Sequence, residues 1–218
     1  MIPLHFVKES ERKPQNITLK IGLRDLPESL KLFILIAGIF DLARFNYMFF
    51  VLRAQQAFTG KLSIGVPILL YVLFNIFYAA FAVPFGVLSD RIGRGRIIVL
   101  GYILFSLTCL GFAFFNSLPA FVILFALYGV MHAIIDGNQR AFVSDLSPDR
   151  LKATALGTFH TVIGLVELPA SLIAGFLWQY ISPGAAFIYG SVVGIIPVVL
   201  LIAFRSHFEV PGELNKKF

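Results

Sequence analysis

The sequence has a single cysteine in 218 residues, Cys109, and it lies inside an apolar stretch. One thiol supports neither an intramolecular disulfide nor a cysteine-based metal centre. Charge is scarce as well: Asp, Glu, Lys and Arg make up 14% of the chain, where soluble domains carry about 25%. The signatures of intramembrane hydrolases are missing too. There is no Gly-x-Ser-Gly nucleophile stretch, no Gly-x-Gly-Asp and no His-Glu-x-x-His zinc motif, so neither an enzyme nor a bound metal or cofactor is expected.

Apolar residues are abundant instead. They form 58% of the chain, 24 of them are Phe, and the mean hydropathy is +0.84. That balance places the chain among integral membrane proteins. Six apolar stretches, at 32–52, 65–87, 97–115, 119–143, 155–178 and 184–204, each approach the ~20 residues an α-helix needs to cross a bilayer. The chain therefore reads as a cytoplasmic segment (1–31), a six-helix transmembrane domain (32–204) and a cytoplasmic tail (205–218). The start, with a short apolar part followed by charges, has no signal-peptide pattern. Two connections, 115–120 and 179–184, are short and rich in turn formers, which predicts tight hairpins between spans three and four and between five and six.

The net charge of +6 does not point to nucleic acid, because the basic residues sit between the apolar spans. Of the 18 Lys and Arg residues, 15 fall on one side of this topology. The opposite side holds Arg53 and Lys61, and Arg44 lies within a span. This bias predicts that both termini are cytoplasmic.

The stretch Gly86-Val-Leu-Ser-Asp90-Arg91-Ile-Gly93-Arg94-Gly-Arg96 resembles the cytoplasmic loop signature of the major facilitator superfamily, which follows the second helix of each six-helix half. A second stretch, 136–157, resembles the family's link between the fourth and fifth helices of a half. Arg140, Asp145, Pro148 and Lys152 carry that match, with Lys152 where the family favours Arg. Part of the family's antiporter glycine–proline motif is matched in span five by Gly157, Gly164 and Pro169, but Leu168 and Leu172 stand where it prefers Gly. The resemblance implies an all-α membrane protein. Its six-transmembrane-helix bundle would be one half, a 3+3 inverted repeat, of a secondary transporter with about twelve helices. It is closest to a C-terminal half. A faint echo between residues 85–95 and 174–184 pairs Gly86, Leu88 and Ile92 with Gly175, Leu177 and Ile181, as inverted repeats require.

Charges inside spans are expensive unless a partner or polar cavity receives them. Span one carries Asp41 and Arg44, span four His132, Asp136 and Arg140, and span five His160 and Glu167; spans three and six carry none. Helical spacing puts Asp41, Arg44 and Met48 on one face, and likewise His132, Asp136 and Arg140. Asp41 and Glu167 are the candidate proton or substrate-charge carriers, with Arg44 as counter-charge; Asp136 and His160 are further candidates nearer the cytoplasmic end. A permanent Asp41–Arg44 pair that only stabilises the helix is the competing reading, and Asp136 with Arg140 reads better as a structural pair. For the histidines a hydrogen-bonded structural role is favoured. At the cytoplasmic surface Gly86, Asp90, Arg91, Gly93, Arg94, Arg140, Asp145 and Lys152 form a candidate conformational latch.

The resemblance implies rocker-switch transport of a small-molecule substrate, driven by protons or by the solute's own gradient, in a plasma membrane. The expected partners are the lipid bilayer and a second six-helix half, whether a missing N-terminal half, a separate chain or a homodimer mate. An accessory half that moves nothing alone is the rival reading.

Overall fold

The computed structural model describes residues 26–208, so most of the expected segments 1–31 and 205–218 lies outside the described residues. Seven α-helices follow in order: α1 (Glu28–Ala43), α2 (Met48–Gln55), α3 (Leu62–Ile92), α4 (Arg94–Phe114), α5 (Leu118–Asp145), α6 (Lys152–Tyr180) and α7 (Pro183–Ala203). No strand occurs among the described residues. The seven helices form six spans long and apolar enough to cross a membrane, because α1 and α2 together make the first. This is an all-α six-helix bundle.

Span one is broken, which corrects the expectation of one continuous helix over 32–52. Arg44 leaves the helix at φ −86°, ψ 71°, and the Phe45 N–H turns back to the Ala43 carbonyl. The Asn46 side chain accepts a hydrogen bond from the Met48 N–H at 2.9 Å, an Asx turn just ahead of α2.

The two charged links are shorter than expected. Helix α3 runs through Asp90 and Arg91 to Ile92, and α4 begins at Arg94, so Gly93 alone makes the turn. Its φ of 103° lies where a side chain would strain the backbone. Likewise α5 continues through Asp136 and Arg140 to Asp145, leaving 146–151 as the connection. The tight hairpins expected elsewhere are present: three residues join α4 to α5, and two join α6 to α7. In the second, the Ser182 hydroxyl accepts from the Ala185 N–H beside Pro183, a cap and a first-turn proline together.

The packing is symmetric under exchange of spans one to three with spans four to six. Helices α4 and α7 pack along the pseudo-axis; α3 against α5 has its counterpart in α6 against α1, and α4 against α5 in α7 against α1. The 85–95 and 174–184 echo falls into register with this: α4 starts at Arg94 and α7 at Pro183, aligned positions of the echo, and both helices have 21 residues. Phe side chains fill the middle. One cluster stacks Phe50 on Tyr128 and packs Phe187 against Phe45 and Phe112, and another gathers Phe33, Phe142 and Phe208.

Cover is uneven. Only 17% of the most apolar stretch is buried in α3 and in α6, against 44–56% in the other spans. These two helices present open faces. Where α3 does meet α5, the approach is close at Gly129: a Cβ there would overlap the Phe74 carbonyl and the Phe77 side chain. At Gly86, by contrast, a Cβ would meet nothing within 4 Å.

Gly129→Ala is expected to cost ~1–3 kcal/mol, the range for overpacking, and to lower the melting temperature in detergent by several degrees. Gly137→Ala, on the same helix with no neighbour within 4 Å, should melt at or above the native temperature.

Candidate functional site

The break after Ala43 frees Arg44 from the helical face and carries its guanidinium across to α5. Its Nε donates to Asp41 Oδ1 at 2.8 Å, its Nη2 lies 2.6 Å from the same oxygen, and its Nη1 donates to Asp136 Oδ1 at 3.2 Å. One cation thus holds two carboxylates. Asp41 is fully buried, and only 15% of the Arg44 side chain is exposed. The Arg44 guanidinium also lies over the Phe40 ring, 5.9 Å from its centroid, and Phe40 stacks on Tyr102 at 3.9 Å.

This geometry revises two expectations. Asp41, Arg44 and Met48 do not share one helical face, because the chain leaves the helix between them. Asp136 pairs with Arg44 and with His132, whose Nδ1 is 3.2 Å from Asp136 Oδ2, and its carboxylate makes no ion pair with Arg140. Arg140 Nε donates to the Asp136 backbone carbonyl instead, at 2.8 Å. Sequence spacing puts Arg140 within reach, but only the break in span one, signalled weakly by Asn46, brings a stronger partner to Asp136. Among the described residues, two buried side-chain polar atoms, Asp41 Oδ2 and His132 Nε2, have no hydrogen-bond partner.

Two cavities open around this network. One, about 530 Å³, is lined among others by Arg44, Tyr47, Tyr128, His132, Glu167 and Ser171. The other, about 330 Å³, is lined by Arg44, Tyr78, Asp136, Arg140, His160 and Glu167. Only Arg44 and Glu167 line both. On α5 and α6 the smaller cavity takes the residues nearer the basic end of the bundle, where Arg94 and Asp145 lie, and the larger takes those farther away. Glu167 is exposed to the cavities and forms no ion pair among the described residues. At ~1.5 Å of rise per residue, Asp41 and Glu167 stand about 20 Å along their helices, near the middle of the bundle.

At the basic end, Arg94 ties three helices. Its Nη2 lies 2.9 Å from Asp90 on α3, and its Nε lies 2.8 Å from Asp145 on α5. Below this clasp the buried Ser89 hydroxyl donates to the Gly86 carbonyl. Arg91 points outward. Lys152 is not part of the clasp: it pairs with Asp149 at 2.7 Å, three residues before it. The opposite end has a contact the sequence did not announce, in which Arg53 Nε donates to the Phe112 carbonyl at the C-terminus of α4 at 3.0 Å.

Six apolar helices with internal two-fold packing, a charged centre and a basic clasp at one end agree with the family resemblance carried by residues 86–96 and 136–157. The family model of the Major Facilitator Superfamily matches residues 33–217, and the chain belongs to that superfamily. It is 53% identical over 206 residues to an MFS-type transporter of Methanocaldococcus jannaschii, covering 93% of this chain and 52% of the relative. It is 28% identical over 134 residues to a riboflavin transporter of Clostridioides difficile, covering 62% and 29%. A quinolone resistance protein of Staphylococcus aureus is 26% identical over 135 residues, covering 59% and 34%. Among solved structures, a peptide transporter of the POT family with bound sulfate shares the fold at a TM-score of 0.69 and 17% identity, covering 89% of this chain and 41% of that one. The chain spans about half, or less, of the length of the relatives it matches.

Removing Arg44 strands a buried carboxylate, a change that costs ~3–5 kcal/mol in a buried pair. Arg44→Ala should therefore be the most damaging single change here to thermal stability in detergent. Asp41→Asn combined with Arg44→Gln, which removes both charges, should recover part of the loss.

Proposed function

We propose that the chain acts as one six-helix half of a secondary transporter that moves a small solute across the plasma membrane by alternating access, with both termini cytoplasmic. One observation carries this reading: Arg44 and Glu167 stand at mid-bundle between two cavities stacked along the membrane normal. A solute site at the junction of inverted repeats, reached in turn from either side, is the arrangement alternating access needs. The names of two relatives, a riboflavin transporter and a quinolone resistance protein, make flat aromatic solutes the first probes. Tyr47, exposed at the larger cavity, supplies an aromatic side chain against which such rings can pack.

In this reading Asp41 and Glu167 carry the coupling charge and Arg44 is its counter-ion. A proton gradient or the solute's own gradient drives the cycle. The Arg94 clasp on Asp90 and Asp145 holds the cytoplasmic ends of α3, α4 and α5 together in one conformation. It can be released cheaply, because ion pairs open to water contribute only ~0–1 kcal/mol each.

The open faces of α3 and α6 support a second six-helix half as partner, in the same polypeptide, in a separate chain or in a second copy. They also favour a second reading, an accessory half that transports nothing by itself.

The test uses the complete assembly in proteoliposomes, with fluorescent riboflavin and quinolone uptake followed under an imposed pH gradient. Glu167→Gln and Asp41→Asn should abolish gradient-driven accumulation. Asp90→Asn and Arg94→Ala should slow turnover about tenfold, a shift of about 1.4 kcal/mol in barrier, and leave solute affinity unchanged. Accumulation by Glu167→Gln that still follows the gradient removes Glu167 as a carrier, and native turnover in Arg94→Ala removes the clasp from the cycle. If this chain by itself accumulates solute, the accessory reading is excluded.

A further inference from the structure

Arg96 and Arg205 take no part in the cavities or the clasp. Both are exposed, and neither guanidinium has an ion-pair partner among the described residues. Arg96 sits in the first turn of α4, where the helix dipole disfavours a cation. Two residues earlier, Arg94 is met by Asp90 and Asp145, but no described carboxylate reaches Arg96. Arg205 follows α7 in a single 3-10 turn, Arg205–His207. That turn is pinned to the bundle, because Phe208 behind it is buried against Phe33 and Phe142.

The packing of α4 on α7 brings the two charges to one level. The helices run antiparallel, and a Cβ on Gly190 would press on Cys109 Sγ, while one on Gly194 would press on Ser106 Oγ. Each step along α7 is thus matched by about one step back along α4. Carried on to Arg205, that register reaches Gly95 and Arg96. From this level each helix opens an apolar stripe along the span. On α4 it runs through Leu100, Leu107 and Phe114, and on α7 through Ile202, Val199 and Val192; residues seven apart fall on one helical face. Neither helix lends a residue to either cavity, so this surface is separate from the solute site.

We infer that Arg96 and Arg205 form a binding site for the phosphate of an anionic phospholipid whose acyl chains lie along the two stripes. Charge complementarity selects this occupant. Two guanidiniums without counter-ions at the end of an apolar face call for an anion that is itself amphiphilic, and the guanidinium fork matches phosphate oxygens in pairs. A free anion meets the charges and leaves the stripes bare. A phosphatidylcholine covers the stripes but brings its own cation to the phosphate. An acidic peptide in the aqueous phase does not reach side chains at the depth of Leu107 and Val192. The position gives the bound lipid a mechanical consequence. Helices α4 and α7 are the last spans of the two inverted repeats, so one headgroup ties the repeats together at the basic end. It also steadies the first turn of α4, from which Arg94 reaches Asp145.

The test needs no transported solute, so its outcome is independent of the transport reading. The complete assembly in neutral detergent is titrated with dioleoyl phosphatidylglycerol and, separately, with dioleoyl phosphatidylcholine, and bound lipid is counted by native mass spectrometry. The native protein should bind phosphatidylglycerol at least about tenfold more tightly than phosphatidylcholine, and Arg96→Gln and Arg205→Gln should each weaken that binding about fivefold, together about 25-fold. Arg91→Gln with Arg150→Gln removes two exposed charges from the same end of the bundle and should leave the binding as in the native protein. All four side chains are exposed, so these variants should melt with the native protein in lipid-free detergent. Equal losses in the two double variants replace the site by diffuse attraction and overturn the proposal. So does a native protein that does not distinguish the two lipids. Inorganic phosphate in excess, at constant ionic strength, should leave phosphatidylglycerol bound. Full displacement by phosphate makes this a site for the free anion, and the lipid assignment falls.

Discussion

One guanidinium near the middle of the bundle constrains the rest. Arginine stays charged in any protein environment, and a lone charge at that depth costs several kcal/mol. Arg44 therefore has to be met by carboxylates wherever the chain places it. Asp41 three residues back meets it once, and Asp136 meets it again from α5. Had span one remained helical, Arg44 would lie on the surface of its own helix. The break at 44–47 is what lets the side chain cross to α5, and Asn46 makes an Asx turn just ahead of α2. Two carboxylates against one cation also leave a negative balance inside the bundle.

The two-fold frame explains where that network can stand. Helices α4 and α7, on the pseudo-axis, carry no charge beyond the first turn of α4 and are among the better covered. Their close contact at Gly194 holds the Ser106 hydroxyl but no charged side chain. The charged residues collect on span one, α5 and α6, whose inner faces border the two cavities. The helices with the least cover, α3 and α6, differ in what they expose. Helix α6 exposes Glu167, His160 and Thr161 as well as Leu165, Leu168 and Leu172, whereas α3 exposes Leu69, Val83 and other side chains, none of them charged within its apolar span. An exposed carboxylate on a span is unstable against hydrocarbon, so the α6 face belongs to an aqueous or protein-lined interior.

Much of this was legible in the sequence. Apolar length and the Lys and Arg bias define six spans, and the Asp90–Arg94 stretch gives the family. The ends of the helices were less readable. The charged residues Asp90, Arg91 and Asp145 read as parts of links, but side chains long enough to reach water or each other can extend helices beyond the apolar core. The site divided along the same line. Asp41 and Arg44, three residues apart, could be paired from spacing alone. The contact from Arg44 to Asp136 spans 92 residues and depends on a backbone break inside an apolar run, which hydropathy does not register. Lys152 failed to join the clasp for a local reason, since Asp149 is three residues away and needs no long-range closure to be reached.

Helix α5 links the central network to the clasp. It carries His132 and Asp136 near its middle and Asp145 at its end, and it is wedged against α3 at Gly129. From Gly129 to Asp145 is 16 residues, or about 24 Å of rigid helix. A tilt of only ~5° about the Gly129 contact would displace Asp145 by about 2 Å at that length. The Arg94–Asp145 contact is 2.8 Å, and an ion pair stretched by that amount passes out of hydrogen-bonding range. The pair nearer the pivot moves much less: Asp136 is seven residues from Gly129, so the same tilt shifts it by about 1 Å. A small rotation that leaves the Asp41–Arg44 pair of span one untouched is thus enough to open the clasp. The clasp is the weaker link mechanically as well as electrostatically, because 61% of the Asp90 side chain is open to solvent while Asp41 is fully buried. The fold therefore places its easily broken contact at the end of the longest lever and its costly one near the fulcrum.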